Sequence, residues 1–379
     1  MKVLVISHSA VVADYRERFR QIALYPEIDL TLLVPRRWKQ FNRMIEMEKT
    51  GHSNYRIISR QPLTWGLRQH GLRNVTHIYP GMGKLIKEIR PEIIELWEEP
   101  FSAVTAHIIR ISRKIIPGAK IIFFSAQNIP KNYPPPFSWF ERYTYRQADF
   151  AFAMNREVKE IIREKGWGKG SMVLPLGVNP DQFRKSDCSD LREKLGLTGF
   201  SIGYVGKLDK QKGVIDLIEA VAQLPEPANL LIIGDGPLKK EVVNEVRRRG
   251  IGERVTMIDS IDHGQLPGYL NCMDILVLPS ITLPRLKEQF GRVLIEAMSC
   301  EVPVIGSDSG EIPNVIGDAG LIFPENHIDQ LTNHLRLIMN NHALRQRLSV
   351  RGRERVMLNY SWEKIAQKQI GIYERLMDT

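Results

Sequence analysis

The feature that most constrains the fold is an alternation between short apolar runs rich in β-branched residues and longer amphipathic stretches. Such runs are typical of strands buried on both faces of a parallel sheet, and the stretches between them are typical of crossover helices. The predicted strands of the first half are Lys2–Ile6, Leu30–Val34, Ile93–Leu96, Lys120–Phe124, Phe150–Ala153 and Met172–Leu174. Those of the second half are Ser201–Val205, Asn229–Ile233, Val255–Ile258, Ile275–Leu278, Val302–Ile305 and Gly320–Phe323.

Two successive sets of strands predict an α/β protein with two doubly wound, Rossmann-like domains, which suits a length of 379 residues. Pro175, Gly177 and the polar run Arg184–Asp190 mark the break between them. We therefore expect a first domain over residues 1–185 and a second over residues 186–360. The apolar spacing after residue 360 predicts a C-terminal helix over residues 361–379 that packs back on the first domain.

Composition argues against several classes of protein. No window reaches the roughly 18 consecutive apolar residues of a membrane span, and the apolar start of the chain is too short for a signal peptide. Cys188, Cys272 and Cys300 form no C-x-x-C pair, and the nine histidines form no H-x-x-x-H pair. Neither a disulfide framework nor a structural zinc site is expected, and a cytoplasmic location is the default.

Charge is distributed unevenly along the chain. Residues 1–185 carry 30 basic and 17 acidic side chains, a net charge of +13, whereas residues 186–379 carry a net charge of −3. A generally basic proteome would affect both halves alike. The asymmetry therefore indicates that the first half faces an anionic partner, which could be a membrane surface, an acidic substrate or nucleic acid.

The loop after the first strand of the second domain has the composition of a phosphate site. Gly206 to Gly213 contains three lysines and two glycines between a strand and a helix. Its backbone can approach a ligand closely, and its cations adjoin the positive end of a helix dipole. The spacing matches neither a Walker A loop nor a dinucleotide fingerprint, and a solvated basic turn is the alternative.

A second segment, residues 279–298, carries two carboxylates of special interest. Glu288 precedes a helix predicted to start near Gly291, and Glu296 lies inside that helix among apolar neighbours. A buried carboxylate needs hydrogen-bond donors, which a ribose diol supplies. The alternative is a glutamate that forms a salt bridge near the helix start.

These motifs, taken in order, resemble the family 4 retaining glycosyltransferases of the GT-B fold, in which two Rossmann-like domains face a central cleft. The most specific element is the pair of glutamates, Glu288 and Glu296, with seven residues between them. The other elements that carry the resemblance are Gly206-Lys207-Leu208, Lys212-Gly213, Gly234-Asp235-Gly236-Pro237, Pro279-Ser280, Glu288-Gln289-Phe290-Gly291, Glu296-Ala297-Met298, Pro303–Ser307 and Gly310-Glu311-Ile312-Pro313. The resemblance covers the second domain closely and reaches the first only through residues 174–183.

The resemblance implies a role for each matching residue. Lys207 and Lys212, with Gly206, would hold the donor pyrophosphate, although the family commonly has arginine at the first position. Glu296 would bind the ribose hydroxyls, and Ser260 and Ile261 would flank the base. Glu288 would meet the donor sugar together with the backbone of Phe290, Gly291 and Arg292. Glu288, Lys212 and Lys207 are thus the predicted catalytic residues.

The first domain departs from the family pattern. The glycine loop after the first strand is replaced by Ser7 to Val12, and the usual mid-domain histidine is absent. His8, Gln127 and Asn128 are the candidate contacts to the donor sugar, although His8 is also explained as a satisfied loop histidine. Glu98-Glu99-Pro100 either serves an acceptor or forms a solvated turn.

The implied reaction transfers a hexose from a nucleoside-diphosphate sugar to a glycan or lipid-linked acceptor, with retention, in polysaccharide or cell-envelope synthesis. No cofactor and no metal are expected, because lysines can neutralise the leaving diphosphate. The alternatives are a nucleotide-sugar epimerase of the same fold and a non-catalytic module that binds anionic surfaces. A nucleic-acid partner is not expected, since no nucleic-acid module is present.

The positive first domain predicts docking on an anionic membrane, at the inner face, where a lipid-linked acceptor would wait. The candidate contact is Arg36 to Ile45, which as a helix would place Trp38, Phe41 and Ile45 on one side. The alternatives are that Trp38 and Phe41 pack into their own domain, or that the charge meets an acidic glycan.

Overall fold

The structure, a computed structural model, describes residues 1–40, 43–48, 54–64, 74–225 and 227–378. The chain forms two compact units, of which one comprises Met1–Pro175 with Trp362–Thr379 and the other Leu176–Ser361. Each unit has a parallel sheet covered by helices, so the predicted pair of doubly wound α/β domains is confirmed. None of the described helices combines the length and hydropathy that crossing a bilayer requires.

The first unit is built on a seven-stranded parallel sheet within the described residues, in the order β11-β10-β9-β8-β1-β2-β5. Its strands are β1 Lys2–Ile6, β2 Asp29–Pro35, β5 Arg56–Arg60, β8 Ile93–Leu96, β9 Lys120–Ser125, β10 Phe150–Ala153 and β11 Ser171–Val173. Two short antiparallel pairs accompany it, β3 Arg37–Gln40 with β4 Arg43–Glu46 and β6 Leu63–Thr64 with β7 His77–Ile78. Its helices are α1 Glu17–Ile22, α2 Met82–Ile89, α3 Ala103–Ile115, α4 Phe137–Gln147, α5 Arg156–Glu164 and α14 Trp362–Met377.

The second unit has a six-stranded parallel sheet within the described residues, in the order β14-β13-β12-β15-β16-β17. Its strands are β12 Phe200–Val205, β13 Ala228–Ile233, β14 Val255–Ile258, β15 Ile275–Leu278, β16 Val304–Ser307 and β17 Gly320–Phe323. Its helices are α6 Ser189–Lys194, α7 Val214–Ala222, α8 Lys239–Arg248, α9 Leu266–Asn271, α10 Arg292–Ser299, α11 Ile312–Ile316, α12 Ile328–Asn340 and α13 His342–Asn359.

The first unit ends at Pro175, earlier than residue 185, where the sequence analysis set the boundary. The segment that follows is bound to the second unit by backbone acceptors. Ser299 Oγ and Arg353 donate to the Phe183 carbonyl at 2.6 and 2.9 Å, and Asn271 Nδ2 donates to the Arg184 carbonyl at 3.0 Å. Pro175 and Gly177 predicted the break between the domains. The hydrogen bonds show that the start of the polar run Arg184–Asp190 belongs to the second unit.

The prediction that Arg36 to Ile45 form an amphipathic membrane helix is wrong. Its described residues form the β3–β4 hairpin, in which Trp38 pairs with Ile45 across the strands. The Trp38 side chain is 1% exposed and packs against the rings of His8 and His77. Phe41 and Asn42 lie outside the described residues. Trp38 therefore belongs to the core of its own unit and offers no contact to a bilayer.

Candidate functional site

The polar motifs of the second unit converge at the switch point of its sheet. The chain runs outward from β12 to β13 and β14, then returns to the other side of β12 with β15. In a doubly wound sheet, ligands bind beyond the carboxyl ends of the strands at such a point. The loops that leave β12 and β15 are those that carry Lys212 and Glu288.

Lys212 and Glu288 form a close ion pair in the second unit. Lys212 Nζ lies 2.5 Å from Glu288 Oε2, and Ser280 Oγ donates to the same oxygen at 2.8 Å. The side chains of Lys212 and Glu288 are 22% and 9% exposed. Because the Lys212 side chain is partly exposed, its ammonium group can exchange this carboxylate for an anionic ligand.

Two glycines allow the backbones around this pair to approach closely. Gly213 has φ +63°, and a Cβ there would lie 1.9 Å from the Pro279 carbonyl oxygen. Gly310 has φ +54°, and a Cβ there would lie 2.0 Å from the Glu288 carbonyl oxygen. The neighbouring Glu311 N–H donates to that oxygen at 3.2 Å. The glycines at these two positions of the motif series thus fix the positions of Lys212 and Glu288.

Lys207 does not join this ion pair. Its ammonium group lies 3.1 Å from Asp209 Oδ2, and its side chain is 61% exposed. The Tyr204 hydroxyl donates to the Lys207 carbonyl at 2.9 Å and holds the backbone that follows Gly206. The structure therefore separates the two predicted phosphate lysines into a half-buried one and an exposed one.

Glu296 lies in a second polar cluster, on helix α10. Its carboxylate is 4% exposed, and Oε1 lies 2.8 Å from His263 Nε2 and 2.9 Å from Arg292 Nε. The salt bridge to Arg292, four residues earlier, is the alternative that the sequence left open for this glutamate. His263 was not predicted from the sequence, and its ring packs on Phe183 with centroids 5.1 Å apart.

The remaining predicted residues of the second unit are neighbours in sequence of the residues that form these two clusters. Ser260 and Ile261 follow β14 and directly precede the turn that carries His263. Phe290 is 3% exposed, and its ring packs on Tyr360. Gly291 has φ +79° and immediately precedes Arg292, the first residue of α10.

In the first unit, His8 is held by a buried carboxylate. His8 Nδ1 lies 2.7 Å from Glu98 Oε2, and the His8 backbone N–H donates to Glu98 Oε1 at 2.9 Å. Burial opposes the charged forms of His8 and Glu98, but their mutual electrostatic attraction outweighs the effect of burial. Glu98 raises the pKa of His8, while His8 and His77 lower the pKa of Glu98 to about 2.

The interpretation of Glu98 and Glu99 as a solvated turn is wrong. Glu98 is 2% exposed, and Glu99 accepts hydrogen bonds from Ser125 Oγ at 2.7 Å and from the Ala126 N–H at 2.9 Å. Burial raises the pKa of Glu99 to about 7 despite these donors, and Glu98 adds to the rise. Gln127 is half-buried and Asn128 is 2% exposed.

A basic groove lies between helices α3 and α4 of the first unit. Its volume is about 980 Å³, and none of the described residues that line it is acidic. Its charged members are Arg110, Arg113, Lys114, Arg142 and Arg146. Its aromatic members are Trp139, Phe140 and Tyr143, and the Trp139 side chain is 58% exposed. Cations around an exposed tryptophan are typical of a surface that meets an anionic interface.

Comparison with known proteins identifies relatives of this fold. Residues 189–355 match the family model described as glycosyl transferases group 1. The α-D-kanosaminyltransferase of Streptomyces kanamyceticus is 26% identical over 253 residues, which make up 64% of each chain. The match therefore spans slightly less than two thirds of that relative. The putative teichuronic acid biosynthesis glycosyltransferase TuaC of Bacillus subtilis is 26% identical over 82% of this chain and 72% of its own.

A solved structure has the same architecture over the full length. Anabaena Alr3699/HepE in complex with UDP aligns with 100% of both chains, at a TM-score of 0.75 and 17% sequence identity. At this identity the likeness establishes the two-domain GT-B fold and leaves ligand and reaction to be argued from the site itself.

Proposed function

We propose that the chain, whose residues 189–355 match the family model described as glycosyl transferases group 1, belongs to that family and is a retaining glycosyltransferase. It transfers a sugar, a hexose in our proposal, from a nucleoside-diphosphate sugar to a glycan or lipid-linked acceptor in polysaccharide or cell-envelope synthesis. The observation that carries the proposal is the Lys212–Glu288 ion pair at the switch point of the second sheet. There, the Lys212 cation can bind the diphosphate of a donor, and the Glu288 carboxylate can bind its sugar.

Lys212 is the principal phosphate ligand in this proposal. It lies between β12 and α7, and its half-buried ammonium group loses less of its field to solvent than an exposed one does. Exposed Lys207 adds a second, more screened cation. Both are charged before the sugar–phosphate bond breaks, so they stabilise the negative charge that develops on the leaving diphosphate.

Glu288 and Glu296 take different parts of the donor. When a diphosphate draws Lys212 away, Glu288 keeps its hydrogen bond from Ser280 and can accept one from a sugar hydroxyl. Glu296 binds the ribose diol, and Arg292 and His263 hold its carboxylate in place. Ser260 and Ile261, which lead into the His263 turn, flank the base.

The reaction needs no metal ion or cofactor at the donor diphosphate in this proposal, because lysine side chains supply the positive charge. Turnover measured in chelator should equal turnover with added Mg²⁺ or Mn²⁺. A rate that requires either ion would contradict this part of the proposal.

The test of the function begins with a thermal-shift panel of nucleotides and nucleotide sugars on the full chain. The donor that raises the melting temperature most is then incubated with and without glycan and lipid-linked acceptors. Nucleoside diphosphate should be released faster with acceptor, and NMR should show the donor's anomeric configuration in the product. A changed sugar nucleotide without diphosphate release would indicate an epimerase, and no stabilisation by any donor would exclude the donor site.

We also propose that the first unit docks on an anionic membrane surface through the α3–α4 groove. The groove takes the place of the β3–β4 segment as the proposed membrane contact, because Trp139 is exposed, whereas Trp38 is buried. Arg110, Arg142 and Arg146 are exposed around it. The protein is then cytoplasmic and peripheral on the inner face of the membrane, where a lipid-linked acceptor is available.

A further inference from the structure

Three side chains of metal-ligand type meet in the first unit. His8, His77 and Glu98 each place one ligand atom so that all three atoms lie within 4.8 Å of one another. The residues are far apart in sequence and come from different elements. His8 and Glu98 each lie two residues beyond the ends of the adjacent parallel strands β1 and β8, and His77 lies on β7.

The meeting point is the switch point of the first sheet. From β1 the chain proceeds to β2 and β5 on one side and returns with β8 on the other. Polar groups placed beyond two such strands face the crevice in which doubly wound sheets bind ligands. The cluster is thus a ligand position by topology as well as by residue type.

An independent observation is the condition of His77. Its side chain is fully buried, and neither ring nitrogen has a hydrogen-bond partner in the described part of the chain. Nε2 approaches Glu98 Oε1 only to 3.7 Å, which is beyond hydrogen-bond distance. A buried polar group without a partner destabilises the fold, and a bound ligand would supply the partner that this imidazole lacks.

We propose that His8, His77 and Glu98 bind one divalent transition-metal ion of the zinc class. Metal–ligand bonds of about 2.0–2.2 Å in a tetrahedral site place ligand atoms about 3.3–3.6 Å apart, so small rotations from the observed positions close the site. Two imidazoles with one carboxylate suit Zn²⁺, whereas Mg²⁺ and Ca²⁺ prefer all-oxygen sets. The cluster leaves a fourth position open for water or a ligand.

The surroundings fit a bound ion. The rings of Trp38 and Tyr79 pack edge-on against His77, with centroids 4.8 and 5.7 Å away, and fix the plane of its imidazole. Glu98 also accepts the His8 backbone N–H, which orients the carboxylate from outside the coordination sphere. The side chain of His8 is 20% exposed, whereas those of His77 and Glu98 are 0% exposed, so the ion enters from the His8 side.

The test uses tag-free, full-length protein stripped with chelator. Zn²⁺ is titrated in competition with a chromophoric chelator, and Co²⁺ is titrated with detection of its visible d–d absorption. We expect one equivalent of either ion and no competition from excess Mg²⁺. His8→Gln and His77→Gln should each weaken Zn²⁺ binding by at least about 100-fold. His342→Gln, an exposed histidine of the second unit, is the matched control and should bind as wild type does.

Every outcome decides the proposal. Absence of stoichiometric Zn²⁺ binding to the wild-type protein would overturn it, and so would a His8→Gln variant that binds as tightly as wild type. If His77→Gln proves unstable by circular dichroism, the half-buried His8 remains the deciding position. Because binding and the Co²⁺ spectrum are read without turnover, the result is independent of the proposed glycosyl transfer.

Discussion

At the scale of single residues, Lys212 can exchange one anionic partner for another. In the structure it is paired with Glu288, and in the proposed complex it is paired with a diphosphate. Lys212→Ala should weaken binding of a nucleoside diphosphate by about 10- to 150-fold, since a hydrogen bond to a charged group contributes about 1.5–3 kcal/mol. Binding of the matching nucleoside should change less than about twofold. Calorimetry checks both, with Lys194→Ala, an exposed lysine of the second unit outside this loop, as control. Equal losses for nucleoside and diphosphate would remove the phosphate role.

The two glutamates of the motif should separate in kinetics. Glu296→Gln weakens the acceptors for a ribose diol and should weaken nucleotide binding by about 1–3 kcal/mol. Glu288→Gln should leave nucleotide affinity nearly unchanged and lower kcat, because its carboxylate meets the sugar. Steady-state kinetics and nucleotide titration distinguish these effects, with exposed Glu253→Gln as control. If both variants bind and turn over like wild type, the pair serves only to hold the fold.

Some residue-level features could be predicted from sequence, and others could not. Glu288 and Glu296 were identifiable because a short spacing links them. The contact of His263 with Glu296 was not, because it joins a turn to a helix 33 residues later. The cluster of His8 and Glu98 does leave a signal. Both follow an apolar run at the same distance, but the signal becomes usable only once β1 and β8 are known to be neighbours.

At the scale of elements, uninterrupted apolar runs predicted strands, and the prediction failed where charged residues interrupt the run or where the spacing also fits a helix. Leu4 and Ile121 are fully buried within uninterrupted apolar runs, and their strands were predicted. Strand β5, Arg56–Arg60, was missed because arginines flank its two adjacent isoleucines and leave no apolar run of strand length. The β3–β4 hairpin was mistaken for a helix because Trp38 and Ile45, which pair across its strands, also fit a helical spacing.

Helix α14 depends on a buried carboxylate of the sheet. Glu95 Oε2 accepts from Tyr373 Oη at 2.5 Å and from Gln369 Nε2 at 2.7 Å. On the other side, Arg18 stacks on Trp97 at 3.4 Å and lies 3.6 Å from Glu95 Oε1. Burial lowers the pKa of Arg18 to about 10, so it remains charged at neutral pH. The network joins α14 to the central strand β8 and to α1.

Removal of one donor from this network should destabilise the first unit. Tyr373→Phe should lower the free energy of unfolding by about 1.5–3 kcal/mol, because a buried hydrogen bond to a charged acceptor is lost. All six tryptophans belong to residues 1–175 and 362–379, so tryptophan fluorescence in urea reports on this unit alone. Glu374→Gln, exposed on the same helix, is the control. An unchanged urea midpoint would show that Gln369 alone holds the helix.

At the scale of the whole molecule, the net charge differs between the two halves of the chain, which correspond approximately to the two units. The excess of positive charge lies in residues 1–185, and the α3–α4 groove concentrates part of it beside an exposed tryptophan. The second unit, with the proposed donor site, carries a slight negative balance in residues 186–379. A membrane surface would therefore attract one unit only and leave the other free to bind a soluble nucleotide sugar.

The membrane prediction can be tested by sedimentation with liposomes of varied anionic content at low and high salt. Each cation near an anionic surface contributes about 1 kcal/mol, so Arg110→Ser with Arg142→Ser should lower partitioning roughly 30-fold. Lys87→Ser with Arg156→Ser removes the same charge from exposed positions of the first unit outside the groove and should have the smaller effect. Equal losses in the two double variants would point to net charge without a docking face. Binding that ignores anionic lipid would exclude the surface, while the donor site of the second unit would be unaffected.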